Sequence, residues 1–304
     1  MVERTPLFDV VSQVVLFLGL LVALAPFAIV AIAATHDIRT VNQVPMPLVP
    51  GHHFLENLAE AWQRADLGRK LVNSVIFAGG VALGKVFIAA LSAFSIVFFR
   101  YRGRMAIFWL IFVTLMLPLE VRIVPTYAVA ANVLSPYQTI LDLTGISWLV
   151  EQATGHRIAL KWGLLNSFPG LILPLIATAT GTFLYRQFFL TIPDEMVEAA
   201  KMDGAGALRF FKDILLPLSR TNMAALGTIM FVWAWNQYLW PLLVTTDSAH
   251  GTAVTQLKEL IPQTNGTPDW HVAMAGTLIV MLPPLVVVIL MQRWFVRGLV
   301  STEK

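Results

Sequence analysis

The sequence predicts an all-α membrane protein with six transmembrane helices. Three observations carry that reading. Of the 304 residues, 57% are hydrophobic and 13% charged, and mean hydropathy is +0.71; a soluble domain runs at about 45–50% and about 25%. Apolar stretches of spanning length, about 20 residues each, recur along the chain. Lys and Arg fall unevenly on the two sides of those stretches, as the positive-inside rule expects. So apolar a chain cannot be a soluble enzyme, a disordered tail or a nucleic-acid-binding domain, because a water-facing fold of this size could not hide the surface.

Residues 10–34 contain no Asp, Glu, Lys or Arg and form the first expected span. With the outer loop that follows, they make a first segment, residues 1–70. Ala31-Ile32-Ala33 resembles a signal-peptidase site, but the apolar run is longer than the 7–15 residues typical of a signal peptide. A retained helix is therefore expected. The core, residues 71–292, holds five further spans. Residues 71–99 form the second, interrupted by Lys85. Residues 105–119 form the third, ending at Glu120 and Arg122. Residues 162–185, 221–246 and 270–292 supply the rest, with Pro283-Pro284 expected to kink the last or reposition its end. Residues 139–150 are short and contain Asp142, so an interfacial or loop helix is expected there.

Six spans with the N-terminus inside put both termini and the 186–220 loop in the cytoplasm. The cytoplasmic segments, from Arg4 to the 293–304 tail ending in Lys304, then hold 12 Lys and Arg in 61 positions, against 8 in 111 outside. A seventh span would place the basic tail outside. The chain has no cysteine, and its six histidines lack ligand spacing. Disulfides and thiol chemistry are excluded, and neither a metal site nor a catalytic set is expected. An ion-coupled carrier would show intramembrane carboxylates. An intramembrane enzyme would need paired groups at depth, where only Lys85 lies.

Residues 79–85, Gly-Gly-Val-Ala-Leu-Gly-Lys, match the start of a P-loop. Val86 follows where a Ser or Thr hydroxyl belongs, and the motif lies within a span rather than between a strand and a helix. Gly80 and Gly84, with Ala89, Ser92 and Ala93, read instead as a small-residue face that lets another helix approach. Two readings stand for Lys85: a structural charge bonded to carbonyls or a carboxylate, or a cation beside an anion's path.

The 186–220 loop is the most informative segment. Pro193 suits a first helical turn. Asp194 and Glu195 follow at the positive end of the helix dipole. Met196, Ala199, Ala200 and Asp203 form a narrow stripe, and Gly204 can end the helix. The spacing predicts a helix of about three turns. A second amphipathic helix carries Phe210, Phe211, Ile214 and Leu215 until Pro217 disrupts it.

Glu198-Ala199-Ala200, three residues, Gly204, nine residues, Ile214, one residue, Leu216-Pro217 resembles the E-A-A-x3-G-x9-I-x-L-P loop of ABC importer permeases. The resemblance runs from about residue 10 to the end and is to the carbohydrate-class, maltose-type permeases. It implies a type I importer fold, with Glu198, Ala199, Ala200, Asp203, Gly204, Ile214, Leu216 and Pro217 in a cytoplasmic coupling helix and loop that dock on an ATPase. It also implies a second permease subunit in a heterodimer, two ATPase subunits that carry the ATP and Mg, and a periplasmic or lipid-anchored substrate-binding protein. All would work at the inner membrane, and this chain would bind no cofactor.

Within that class, Thr114-Leu-Met-Leu-Pro-Leu-Glu-Val-Arg-Ile123 with Pro125-Thr126, Trp235-Asn-Gln-Tyr-Leu-Trp-Pro-Leu-Leu243, and the tail Met291-Gln-Arg with Phe295-Val-Arg-Gly-Leu-Val300 and Glu303-Lys304 are similar to the second permeases of sn-glycerol-3-phosphate importers. Residues 134–166 read as an outer-loop insertion by comparison. The resemblance implies import of that phosphate ester, with a neutral sugar or oligosaccharide as the alternative. Substrate-path candidates are then Lys85, Glu120 and Arg122, with Asn236, Gln237, Tyr238 and Trp240. Arg122 either forks onto phosphate or pairs with Glu120 or anchors at the interface. Trp240 and Tyr238 either stack on a polyol or belong to an aromatic belt.

Overall fold

The computed structural model describes residues 6–114, 117–177, 179–261 and 267–300. Arg4, Glu303 and Lys304 lie outside the described residues. Every regular element among those described is helical. The chain gathers into two compact units, Met1–Leu71 with Gln256–Pro283, and Val72–Thr255 with Pro284–Lys304.

Among the described residues, three helices are long and apolar enough to cross a membrane: Phe8–Ala33, Leu67–Phe98 and Trp270–Trp294. In the first, the consecutive residues Val15, Leu16, Phe17 and Leu18 are all exposed. Four successive positions sample every side of a helix, so this helix offers lipid an apolar surface all round. Leu67–Phe98 is two-faced. Ala82, Val86, Ala89, Ala90 and Ala93 are buried, while Leu83 and Phe87 are exposed. The helix Trp270–Val300 runs as one element through Pro283 and Pro284, so neither residue repositions its end. Proline is tolerated in spanning helices where neighbouring groups satisfy the freed carbonyls.

Of the six expected spans, three are continuous helices among the described residues. The fourth expected stretch, 162–185, overlaps a bent pair, Phe168–Leu175 with Ala179–Phe189 at 51°, and the fifth, 221–246, opens in Arg220–Trp235, which meets the preceding loop helix Ala207–Leu218 at 75°. Counting each pair as one crossing gives five. Among its described residues, the third stretch holds the helix Arg104–Val113, 10 residues. At 1.5 Å per residue that is about 15 Å, half a hydrocarbon core. Pro118 then adopts an extended conformation, φ −60° and ψ 154°, as the N-cap of Leu119–Ala131. The 139–150 region forms parts of two nine-residue helices, Ser135–Leu143 and Ile146–Thr154. Left-handed Gly145 separates them, and neither can cross.

In the first unit, the buried Asn57 amide donates to the carbonyls of Ala34 and His36, both at 2.8 Å. Arg64 meets Asp269 at 2.7 Å. In the second unit, Asn73 donates to Ala249 and Gly251 carbonyls. A Cβ on Gly80 would stand 2.6 Å from Ile172 Cδ1, and one on Gly84 would stand 2.5 Å from Ile176 Cγ2. The small-residue face therefore receives the first half of the bent 168–189 segment.

Candidate functional site

The 186–220 loop builds a short, firmly ended helix. Its helix is Asp194–Met202, nine residues with Pro193 as N-cap and Asp194 and Glu195 in the first turn. Gly204 has φ +73°. Its N–H donates to Lys201 O at 3.0 Å, and the Ala205 N–H donates to Ala200 O at 2.9 Å. These are the two bonds of a Schellman motif, which needs a left-handed residue after the cap. The expected stripe is rotated. Val197 and Ala200 pack inward, whereas Met196, Ala199, Asp203 and Glu198 are exposed.

The second helix also differs from expectation. Ala207–Phe210 passes into a π-helical turn, Phe211–Leu215, and then into Leu216–Leu218. Pro217 does not end it. The wider turn moves the bonding register by one residue, which accommodates a position without an N–H. The sharp change of direction comes at buried Ser219, whose hydroxyl donates to Leu215 O at 2.6 Å.

These two helices rest on an aromatic cluster at the end of Leu67–Phe98. The Phe94 and Phe211 rings lie 4.9 Å apart, and Phe98 lies 5.4 Å from Phe210 and 5.8 Å from Phe189. Ala200 and Leu215 are buried against this cluster, with Ile214 and Leu216 partly buried; Pro217 is exposed. A small side chain at Ala200 lets the helix Asp194–Met202 seat closely.

A second feature lies within the spanning helices. A cavity of about 520 Å³ is lined by residues of five segments, among them Lys85, Ser92, Thr114, Arg122, Thr180 and Trp233. Lys85 is buried, and its Nζ stands 3.4 Å from the centroid of the Trp233 ring, close enough for a cation–π contact. Arg122 Nε is buried and has no hydrogen-bond partner. Among the described residues neither cation has an ion pair, and no carboxylate lines the cavity. Glu120, in the first turn of Leu119–Ala131, is exposed and does not line it.

The other path candidates stand apart from this cavity. The Asn236 and Gln237 amides donate to Val232 O and Trp233 O at the end of Arg220–Trp235. Trp240 is fully buried and donates from Nε1 to Leu171 O at 3.1 Å. Tyr238 is exposed. Sequence reasoning missed Trp233 and the hydroxyls of Ser92, Thr114 and Thr180. Polar side chains in an apolar run were the one signal that could have found the hydroxyls. Among the described residues no group of three or more His, Asp or Glu could hold a metal ion.

Comparison with known proteins agrees with this geometry. Residues 85–301 match the family described as binding-protein-dependent transport system inner membrane component. The sn-glycerol-3-phosphate transport system permease protein UgpE of Yersinia enterocolitica is 44% identical over 310 aligned positions, covering 100% of both chains. UgpE of Escherichia coli O157:H7 is 46% identical with the same coverage. Among solved structures, a bacterial ABC transporter involved in the import of the acidic polysaccharide alginate superposes with a TM-score of 0.69 at 19% identity. That alignment covers 97% of this chain and 99% of the other, and it speaks for the fold alone.

Proposed function

The chain belongs to the family of binding-protein-dependent transport system inner membrane components, and from that premise we propose that it is one of two permease subunits of an ATP-driven importer of sn-glycerol-3-phosphate. The substrate follows the relatives, which are named for that transport and align over their whole length. The observation that carries the mechanism is the Schellman-capped helix Asp194–Met202 seated on Phe94, Phe98 and Phe211. A rigid lever with exposed Glu198 and Ala199 outward and Ala200 inward can pass the motion of an ATPase groove to the helix Leu67–Phe98.

In this reading ATP and Mg sit on two partner ATPase subunits, and a substrate-binding protein delivers the ester from outside. ATP-driven closure moves the groove, the lever follows, and the spans tip from outward-facing to inward-facing. The chain crosses the inner membrane six times with both termini in the cytoplasm. Arg104–Val113 belongs to the third crossing, and the bias of Lys and Arg supports the count.

The test is purification of the importer with its binding protein in lipid. ATPase activity should rise with sn-glycerol-3-phosphate and not with maltose. Glu198→Lys should lose the ATPase during purification. A complex stimulated by maltose alone would replace the substrate, and one that keeps its ATPase in Glu198→Lys would remove Glu198 from the docking surface.

A further inference from the structure

The cavity among the spanning helices holds two cations and no acid. Like charges confined together repel in proportion to the inverse of the local dielectric, and an ionised side chain at membrane depth normally faces a partner or a water-filled path. Neither Lys85 nor Arg122 has a carboxylate partner among the described residues. Lys85 rests its ammonium on the face of Trp233 instead. Arg122 leaves a buried N–H donor unmade, and an unsatisfied buried donor next to a charge costs more than a neutral one. Two cations and an unpaired donor thus line one cavity with no acidic side chain among its described residues to answer them.

Its size and remaining lining say which kind. About 520 Å³ falls within the roughly 300–1,000 Å³ of small-molecule sites. Ser92, Thr114 and Thr180 add hydroxyls, which both donate and accept. Two cations suit a dianion, and guanidinium matches tetrahedral phosphate by parallel N–H donors. Hydroxyls suit a short polyol.

We propose that this cavity is a phosphate-monoester site, in which Arg122 and Lys85 hold the phosphate, Ser92, Thr114 and Thr180 face the polyol, and Trp233 is a positioning residue that keeps the Lys85 ammonium against its ring until the anion arrives. The assignment rests on the importer reading above and places ester contacts in this subunit. The anion's arrival draws Lys85 off the indole, which makes Trp233 a reporter.

The experiment uses the whole importer in discs of phosphatidylcholine. Tryptophan emission is recorded against a Trp233→Phe complex, so that the difference isolates one indole. Inorganic phosphate and sn-glycerol-3-phosphate should each change that difference, and glycerol should not. Half-saturation should rise at least tenfold in Arg122→Gln and in Lys85→Gln, and Arg122→Lys should recover part of it. No response to either phosphate, or one equal in Arg122→Gln, overturns the site. A response that needs phosphatidylglycerol in the disc assigns the cations to a lipid headgroup and also overturns it. The two readings fail separately. An importer that moves sn-glycerol-3-phosphate with a silent Trp233 sinks the site alone, whereas a Trp233 response to inorganic phosphate without such uptake sinks the named substrate and keeps the site.

Discussion

The Phe94 ring lies 4.9 Å from the Phe211 ring, inclined by 38°, and that contact joins the long helix Leu67–Phe98 to the second helix of the 186–220 loop. Phe94 also meets Phe98 at 5.6 Å and Phe99 edge-on at 5.2 Å.

Removing the Phe94 ring should therefore cost both stability and coupling. A large-to-small change at a buried phenylalanine costs about 3–5 kcal/mol, so Phe94→Ala should lower the thermal midpoint of the purified importer, with Phe94→Leu closer to the parent. ATP consumed per substrate imported should rise, because the lever loses its grip on the span. Phe94→Ala with the parent's midpoint and the parent's ratio of ATP to substrate would show that the ring transmits nothing.

Gly204 tests the lever's end. A Cβ there meets no atom within 4 Å, so space is not the constraint. The constraint is φ +73°, where a side chain costs about 1–2 kcal/mol. Gly204→Ala should destabilise the loop by about that much and slow ATP-driven import. Gly204→Asn should cost less, since Asn tolerates the left-handed region. Equal import and equal protease sensitivity of the loop in Gly204→Ala and the parent would mean that the Schellman turn is dispensable.

Much of this was legible before any coordinates. The apolar runs marked the long helices, because spanning length is read directly from composition. Gly204 and the acids after Pro193 marked the lever, because caps and dipoles are local. Lys85 and Arg122 stood out as rare charges in apolar surroundings, although their sharing of one cavity depends on tertiary packing that no spacing encodes. Trp233 was invisible for the same reason: an indole in an apolar run looks alike whether it meets lipid, core or an ammonium. Pro118 and Pro217 misled in opposite directions. Pro118 ends a run that reads as a continuous span, and Pro217 lies inside a helix that a π turn allows to continue.

His53 offers a pH test outside the spans. Its Nδ1 lies 2.8 Å from Glu56 Oε2, and this hydrogen bond raises the imidazole above its ordinary 6.5. A raised value stabilises the folded state fully below pH 6.5 and loses that contribution as pH climbs through the folded value. The pair is exposed, so the contribution is small. An NMR titration should place the His53 midpoint above 6.5 in the parent and lower it in Glu56→Gln. The same midpoint in both proteins would remove Glu56 as the cause.

The glycines of the second long helix separate crowding from helix propensity. Gly79 has open space where a Cβ would go, while Gly80 and Gly84 would meet Ile172 and Ile176. All three sit in Leu67–Phe98, where Ala is a better helix former than Gly by about 1 kcal/mol. Gly79→Ala should therefore leave the importer as stable as the parent or more so. Gly80→Ala must push the Ile172 δ-methyl aside, and overpacking of that kind typically costs about 1–3 kcal/mol. Gly80→Ala should lower the thermal midpoint, and pairing it with Ile172→Val should restore much of the loss, because valine lacks the Cδ1 that stands 2.6 Å from the new Cβ. Double substitution recovers stability only if the two side chains collide; an Ile172→Val change that does nothing for Gly80→Ala would show that the segment at Ile172 does not lean on this helix as the structure places it.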